Sequence, residues 1–165
     1  MCNCSNPYIP VACEILEITK HTDKEWTFRT KTDTSKVKPG QFYEISLPKY
    51  GESPISVSGI GENYVDFTIR NVGKVTGILF GYEPGDKLLL RGPYGNGFDI
   101  NEYKGRDLVI VAGGSALAPV RGIVEYVYGH KEEFKSFKLI VGFKSPADVL
   151  FAKDLERWAE KLDIL

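Results

Sequence analysis

The apolar run Val109-Ile110-Val111-Ala112 passes without interruption into Gly113-Gly114-Ser115-Ala116-Leu117-Ala118-Pro119. A buried strand that turns on glycine and enters a helix at once leaves free backbone N–H groups and a positive helix end aimed at one point, which suits a phosphate. A second glycine-rich run, Gly92-Pro93-Tyr94-Gly95-Asn96-Gly97-Phe98, closes the half of the chain before it. In series the two runs predict two coenzyme sites, one per domain. Taken singly each has a plainer reading: Gly92–Phe98 as a connector, and Gly113-Gly114 as a tight strand–helix turn without a ligand.

The 165 residues suffice for one ordinary domain or two small ones. Hydrophobic residues at 42% provide a core, and 21 basic against 22 acidic side chains give no nucleic-acid footprint. No apolar run approaches the roughly 20 residues of a membrane helix. The segment Met1-Cys2-Asn3-Cys4-Ser5 has neither the basic start nor the apolar stretch of a signal peptide, so a cytoplasmic protein without membrane insertion is expected. Cys2, Cys4 and Cys13 are odd in number and bunched at one end, which is no disulfide framework. Cys2-x-Cys4 lacks a second pair to close a four-ligand site, so free thiols and no metal are expected.

Residues 11–91 read as β. Val11, Cys13 and Ile15 alternate with other residues, as do Trp26, Phe28 and Thr30; Phe42, Ile45 and Leu47 mark a third run, and Val65–Ile69 has the cleanest period of two. Lys38-Pro39-Gly40, Pro48, Gly59-Ile60-Gly61 and Pro84-Gly85-Asp86 separate the runs, as in a barrel or sandwich. A short helix is expected at 75–82. After Tyr103–Asp107 the pattern changes. Leu108–Val111 predicts a strand covered on both faces, 118–128 a helix, 137–141 a second strand and 147–162 a second helix capped by Ser145 and Pro146. Asp163-Ile164-Leu165 reads as the start of a third parallel strand.

Six motifs in order now carry a resemblance: Lys38-Pro39-Gly40-Gln41-Phe42, Pro54-Ile55-Ser56, Val72-Gly73-Lys74-Val75-Thr76, Pro84-Gly85-Asp86, Gly92–Phe98 and Gly113–Pro119. In this order the chain resembles the ferredoxin–NADP reductase superfamily. Within it the chain is most similar to flavin subunits of multi-subunit redox enzymes: the flavin subunit of anaerobic sulfite reductase, cytosolic hydrogenase gamma subunits and the dihydroorotate dehydrogenase electron-transfer subunit. The resemblance implies an antiparallel six-stranded flavin-binding barrel over residues 1–102 and a partial parallel α/β nucleotide-binding domain over 103–165, cut short at its C-terminus. It implies a parent roughly a hundred residues longer, with a nicotinamide-side Cys-Gly-Pro motif and a four-cysteine [2Fe–2S] tail beyond Leu165.

By the same resemblance Pro54, Ile55 and Ser56 line the flavin of FAD, with the catalytic Ser56 hydroxyl near the ring nitrogen that takes up hydride. Thr68, Ile69 and Arg70 continue that wall, and Gly73, Lys74, Val75 and Thr76 cradle the pyrophosphate. Relatives place an arginine two or three residues before the serine. Here Ser53 and Pro54 stand there, with Glu52 beyond, and Arg70 is the candidate replacement cation. An aromatic near the flavin is common in relatives, and Tyr43, Tyr50, Tyr64 and Tyr94 are the tyrosines considered. For NAD(P)H the resemblance implies Gly113, Gly114, Ser115, Ala118, Pro119, Gly142 and Phe143, while Ala116 occupies a usual glycine position. The implied function is an NAD(P)H-oxidising enzyme subunit that passes electrons through FAD to an iron–sulfur or sirohaem partner, with anaerobic sulfite reductase as the host complex. Two alternatives stay open: a flavin module without NAD(P)H activity, and a non-enzymatic partner-binding subunit.

Overall fold

The computed structural model describes residue 6 and residues 8–165; Cys2 and Cys4 lie outside the described residues. Six antiparallel strands form the first unit: β1 (Val11–Lys20), β2 (Glu25–Lys31), β3 (Phe42–Leu47), β4 (Gly51–Gly61), β5 (Tyr64–Arg70) and β6 (Lys87–Tyr94). They close into a barrel in the order β1-β2-β5-β4-β3-β6. Alternate residues point inward, as strand geometry requires. Ile15, Phe28, Ile45, Val57, Phe67, Ile69, Leu88 and Leu90 are buried together as its core. The helix α1 (Lys74–Leu79) follows β5. Its Leu79 is wholly buried in the barrel core, and the next residue, Phe80, stacks on Trp26 at 4.3 Å. Gly59 and Gly61, expected as a turn, belong to β4, whose register shifts between Val57 and Gly59.

A three-stranded parallel sheet forms the second unit, from β7 (Asp107–Gly113), β8 (Ser136–Gly142) and β9 (Asp163–Ile164) in that order. The helix α2 (Leu117–Gly129) joins the first two strands, and α3 (Ala152–Ala159) leads into the third. Two sequence expectations need correction here. The strand β7 is not covered on both faces: Ile110 and Ala112 are buried, but Val109 is 57% and Val111 73% exposed. The strand order advances in one direction, so crossovers of the usual right hand place α2 and α3 on the same face. Nor is 147–162 one helix. A 3₁₀ turn at Pro146–Asp148 is separated from α3 by Phe151 in the left-handed region (φ 57°). The break lets Leu150 and Phe151, adjacent and both bulky, be buried at once.

Candidate functional site

The outer face of the barrel beneath the parallel sheet carries three directly opposed pairs between β2 and β5: Glu25 with Arg70, Thr27 with Thr68, and Arg29 with Asp66. The first is an ion pair at 2.8 Å. In the third, Arg29 Nε and a second guanidinium nitrogen reach the two Asp66 oxygens at 2.9 and 3.2 Å, a planar fork on a buried carboxylate. The middle pair belongs to a chain whose polarity follows from its far end. Ser58 Oγ donates to the Asp66 carbonyl at 3.0 Å, and Thr68 Oγ1 donates to Ser58 at 2.7 Å. Each hydroxyl has one proton, so Thr27 must donate to Thr68 across 2.8 Å. His21 Nε2, 2.8 Å from the Thr27 hydroxyl, is then the donor that starts the chain. Burial, aided by the Arg121 charge, pushes the His21 pKa down despite Asp154, Asp66 and Glu25.

One arginine fastens the two units. From α2, Arg121 gives Nε–H to Asp154 at 2.8 Å and another guanidinium N–H to the Ser58 carbonyl at 3.1 Å. Phe151 lies 5.0 Å beneath its guanidinium and meets His21 edge-on at 4.8 Å. Close approach requires Gly59, since a Cβ there would stand 2.8 Å from Arg121 and 2.7 Å from the Asp66 carboxylate. Gly122 of α2 likewise packs on Pro39, where a Cβ would meet the ring at 3.2 Å.

Where the carboxyl ends of β7 and β8 face this wall there is a cleft of about 390 Å³, lined by Glu25, Arg70, Gly113, Gly114, Ser115, Gly142, Phe143, Lys144, Asp148 and Leu150. Ligands of open parallel sheets bind at such strand ends. A Cβ on Gly114 or Gly142 would meet nothing within 4 Å, and one on Gly113 only the Gly142 carbonyl at 3.9 Å. These glycines border space that the protein leaves unfilled, and Gly114 also takes a positive φ of 53°. No side chain caps the start of α2; its Leu117 N–H is taken by the carbonyls of the preceding 3₁₀ turn, and Pro119 carries no N–H. Of the other residues named for this site, Ala118 is buried in the sheet–helix core, and Pro119 lies in the first turn of α2. Ala116 is exposed at the head of that helix.

The neighbouring wall runs along β4. Pro54 is exposed and Ser56 half-buried, while Ile55 packs against the barrel core. Ser56 is paired with Phe42, which meets Tyr94 at 5.7 Å. Ile69 is wholly buried in the barrel, so it offers a ligand main chain alone, and Val75 packs against the same core. Lys74 opens α1 with its ammonium 5.2 Å over the exposed Tyr50. Thr76 serves its own turn: its hydroxyl accepts from the Val72 and Gly73 amides and donates to the Gly73 carbonyl. Of the other two tyrosines, Tyr43 is buried with its pKa pushed up to about 12 by desolvation, and Tyr64 lies under Arg29.

Two charged residues of these walls are not evident from the sequence. Arg91 of β6 reaches over β3 to Glu52 at 2.6 Å, so a cation does stand at the start of β4, supplied by another strand. The Ser46 hydroxyl and Arg91 hold the Glu52 carboxyl below the usual range. Glu25 is the other; only its opposition to Arg70 in the register reveals it. Among the described residues no cluster of His, Cys, Asp and Glu could hold a metal ion, and no helix is long and apolar enough to cross a membrane.

Residues 110–164 match the model of the oxidoreductase NAD-binding domain. The chain is 33% identical over 159 residues to sulfhydrogenase 1 subunit gamma of Pyrococcus furiosus, covering 92% of this chain and 54% of that one. To the probable dihydroorotate dehydrogenase B electron transfer subunit of the same organism it is 32% identical over 126 residues, 76% of this chain and 46% of the other. It thus spans about half the length of these relatives. In fold it is similar to an NADH-dependent reduced ferredoxin–NADP oxidoreductase, with a TM-score of 0.80 and 23% identity over 94% of this chain and 56% of that one. A ferredoxin NADP+ reductase from Neisseria gonorrhoeae with bound FAD and NADP gives a TM-score of 0.78 and 23% identity over 93% of this chain and 65% of that one. The closed barrel followed by a parallel sheet is thus the fold of these ferredoxin reductase-like structures, residues 110–164 form an oxidoreductase NAD-binding domain, and the chain's homologues include hydrogenase gamma and dihydroorotate dehydrogenase electron-transfer subunits.

Proposed function

We propose that the chain is the flavin-binding part, and the first portion of the nicotinamide-binding part, of a subunit that oxidises NAD(P)H and delivers electrons through FAD to an iron–sulfur partner. The observation that carries this reading is the cleft at Gly113, Gly114 and Gly142, where no added Cβ would come closer than 3.9 Å to the protein, beside Glu25 and Arg70 of the barrel. FAD supplies a carrier that takes up hydride and releases electrons singly, which a two-electron nicotinamide donor needs in order to reach a one-electron centre.

The chain's own residues then bind and orient. Gly113, Gly114 and Gly142 admit the dinucleotide, and Arg70 offers it a cation. Pro54 and Ser56 form the facing wall, with the Ser56 hydroxyl as a hydrogen-bonding group at its centre. Lys74 brings a positive charge to the start of α1, where the flavin pyrophosphate would rest. Docking through Arg121 fixes the two walls relative to each other. No general acid–base pair is required for hydride transfer between stacked rings. The host complex is proposed to be of the hydrogenase or dihydroorotate dehydrogenase kind on the strength of the relatives above. For sulfite reductase, and for a sirohaem partner, the support is motif resemblance alone.

An anaerobic visible spectrum of the chain supplied with FAD, taken before and after addition of NADH, tests the reading. The expected result is a retained flavin band that bleaches. A band that bleaches with dithionite but not with NADH or NADPH would leave a flavin module without nicotinamide activity. No retained flavin after desalting would favour a partner-binding subunit.

A further inference from the structure

Arg70 was expected to serve the flavin phosphate, yet its side chain lines the cleft of the glycine turn together with Glu25. The Glu25 carboxylate, 8% exposed, is held at both oxygens: Oε1 takes the Arg70 guanidinium at 2.8 Å, and Oε2 accepts the Thr22 hydroxyl. Thr22 is fixed in turn, because its oxygen also accepts the Glu25 backbone N–H at 3.0 Å and the Lys24 N–H at 3.1 Å. A carboxylate anchored in this way has no freedom to follow a moving partner. A guanidinium carries five N–H donors in a rigid plane. With one edge spent on Glu25 and the side chain 39% exposed, the remaining donors are left to the cleft.

We propose that Glu25 is a positioning residue for nicotinamide dinucleotide binding: it clamps one edge of Arg70 so that the other is presented, preset, to an anionic group of the dinucleotide opposite the Gly113–Ser115 turn. The inference rests on the nucleotide reading above and adds the residue that orients its cation. It makes geometry as important as charge at position 70. A lysine there keeps the charge but has no second edge with which to bridge carboxylate and ligand.

The test is titration calorimetry of the full chain with NAD+, with FAD binding measured in parallel on the same samples. Arg70→Gln and Arg70→Lys should each weaken NAD+ binding by about tenfold, the worth of one charge-assisted hydrogen bond. Glu25→Ala should lose a comparable factor, and Glu25→Gln, which still offers an oxygen to Arg70, should recover most of it. FAD affinity should stay at the wild-type value in all four. A purely structural ion pair would not produce that split. Arg70→Lys binding NAD+ as well as wild type would overturn the proposal, as would a loss that falls on FAD. Should Glu25→Ala fail to fold, the two Arg70 variants and Glu25→Gln still decide. A wild-type chain that binds no NAD+ would overturn the functional reading and this inference with it. Wild-type binding with indifferent variants would overturn this inference alone.

Discussion

The two glycine-rich runs look alike in sequence and do opposite things in the fold. At Gly92 and Gly97 a side chain would collide with the protein: a Cβ at Gly92 stands 2.9 Å from the Tyr43 ring and 3.1 Å from the Phe42 carbonyl, and one at Gly97 lies 2.8 Å from Lys38 and 3.0 Å from the Pro39 carbonyl. At Gly114 and Gly142 it would meet nothing. The first run lets chain pack on chain where the barrel passes into the parallel sheet. The second serves a left-handed turn at Gly114 and, with Gly142 of the neighbouring strand, borders a space the protein leaves open. A glycine motif is therefore informative about ligands only once the neighbours of its missing side chains are known, and the composition of the run cannot supply that.

The sharpest way to break the comparison is to add a methyl group in the first run and another beside the second. Gly97→Ala combines a positive φ of 68° with the backbone collision above. It should cost about 2–4 kcal/mol of unfolding free energy, the sum of left-handed strain and overpacking. Urea denaturation measures this directly, and a loss within experimental scatter would mean that the connector has slack the structure does not show.

The second test asks whether the open run depends on the docking of the two units. Arg121→Ala removes the cation shared by Asp154, Asp66 and the Ser58 carbonyl. Its side chain is 18% exposed, so solvent moderates the penalty, and a loss of about 1–3 kcal/mol is expected. Arg121→Met, which keeps contact with Phe151 but not the charge, should recover only the packing, because Asp154 loses its 2.8 Å donor and the Ser58 carbonyl its N–H, while Arg29 still holds Asp66 and Arg157 still reaches Asp154. Nicotinamide binding should weaken in both variants, since the cleft has one wall on each unit. Undiminished binding would show that the parallel sheet holds the dinucleotide without the barrel.

Gly142→Ala, on β8 beside the second run and without its positive φ, should separate open space from packing most cleanly. Stability should stay within about 0.5 kcal/mol of wild type, as for a surface change touching nothing. NAD+ affinity should fall on the order of tenfold, a factor worth about 1.4 kcal/mol. An unchanged affinity would place the ligand elsewhere.

Much of this arrangement was legible in the sequence. Alternation at Val65–Ile69 and at Trp26, Phe28 and Thr30 reported which residues face the barrel interior, because a strand's period of two is local. The strand–glycine–helix grammar at 108–119 reported the turn, since it too is written in consecutive residues. What escaped notice depends on register or topology. Glu25 reads as the unremarkable first residue of a strand, and it matters because Arg70 lies opposite it. Arg91 neutralises Glu52 from two strands away. Val109 and Val111 are exposed on the face of the sheet opposite Ile110 and Ala112, a difference that their shared hydrophobicity does not announce. Phe151 ends a helical pattern because of the barrel beside it, and no capping residue announces the break.

The smallest effect expected concerns pH. His21 joins barrel to sheet through Phe151 and starts the hydroxyl chain to Ser58. Its pKa in the folded chain is depressed below the ordinary 6.5, first by burial and then by Arg121. Above pH 6.5 the imidazole is neutral whether the chain is folded or not, and stability owes nothing to its titration. As pH falls below 6.5 the unfolded chain takes up the proton first, so stability declines until the folded form is protonated as well. Glutamine at position 21 can still donate an N–H to Thr27 but cannot titrate. Melting temperatures of wild type and His21→Gln at pH 7.5 and pH 5.5 should therefore diverge, with wild type losing more on acidification. Carboxylates shared by the two proteins cancel in that difference. Equal losses would mean that the interface accommodates an imidazolium beside Arg121, and that His21 is there for its hydrogen bond alone.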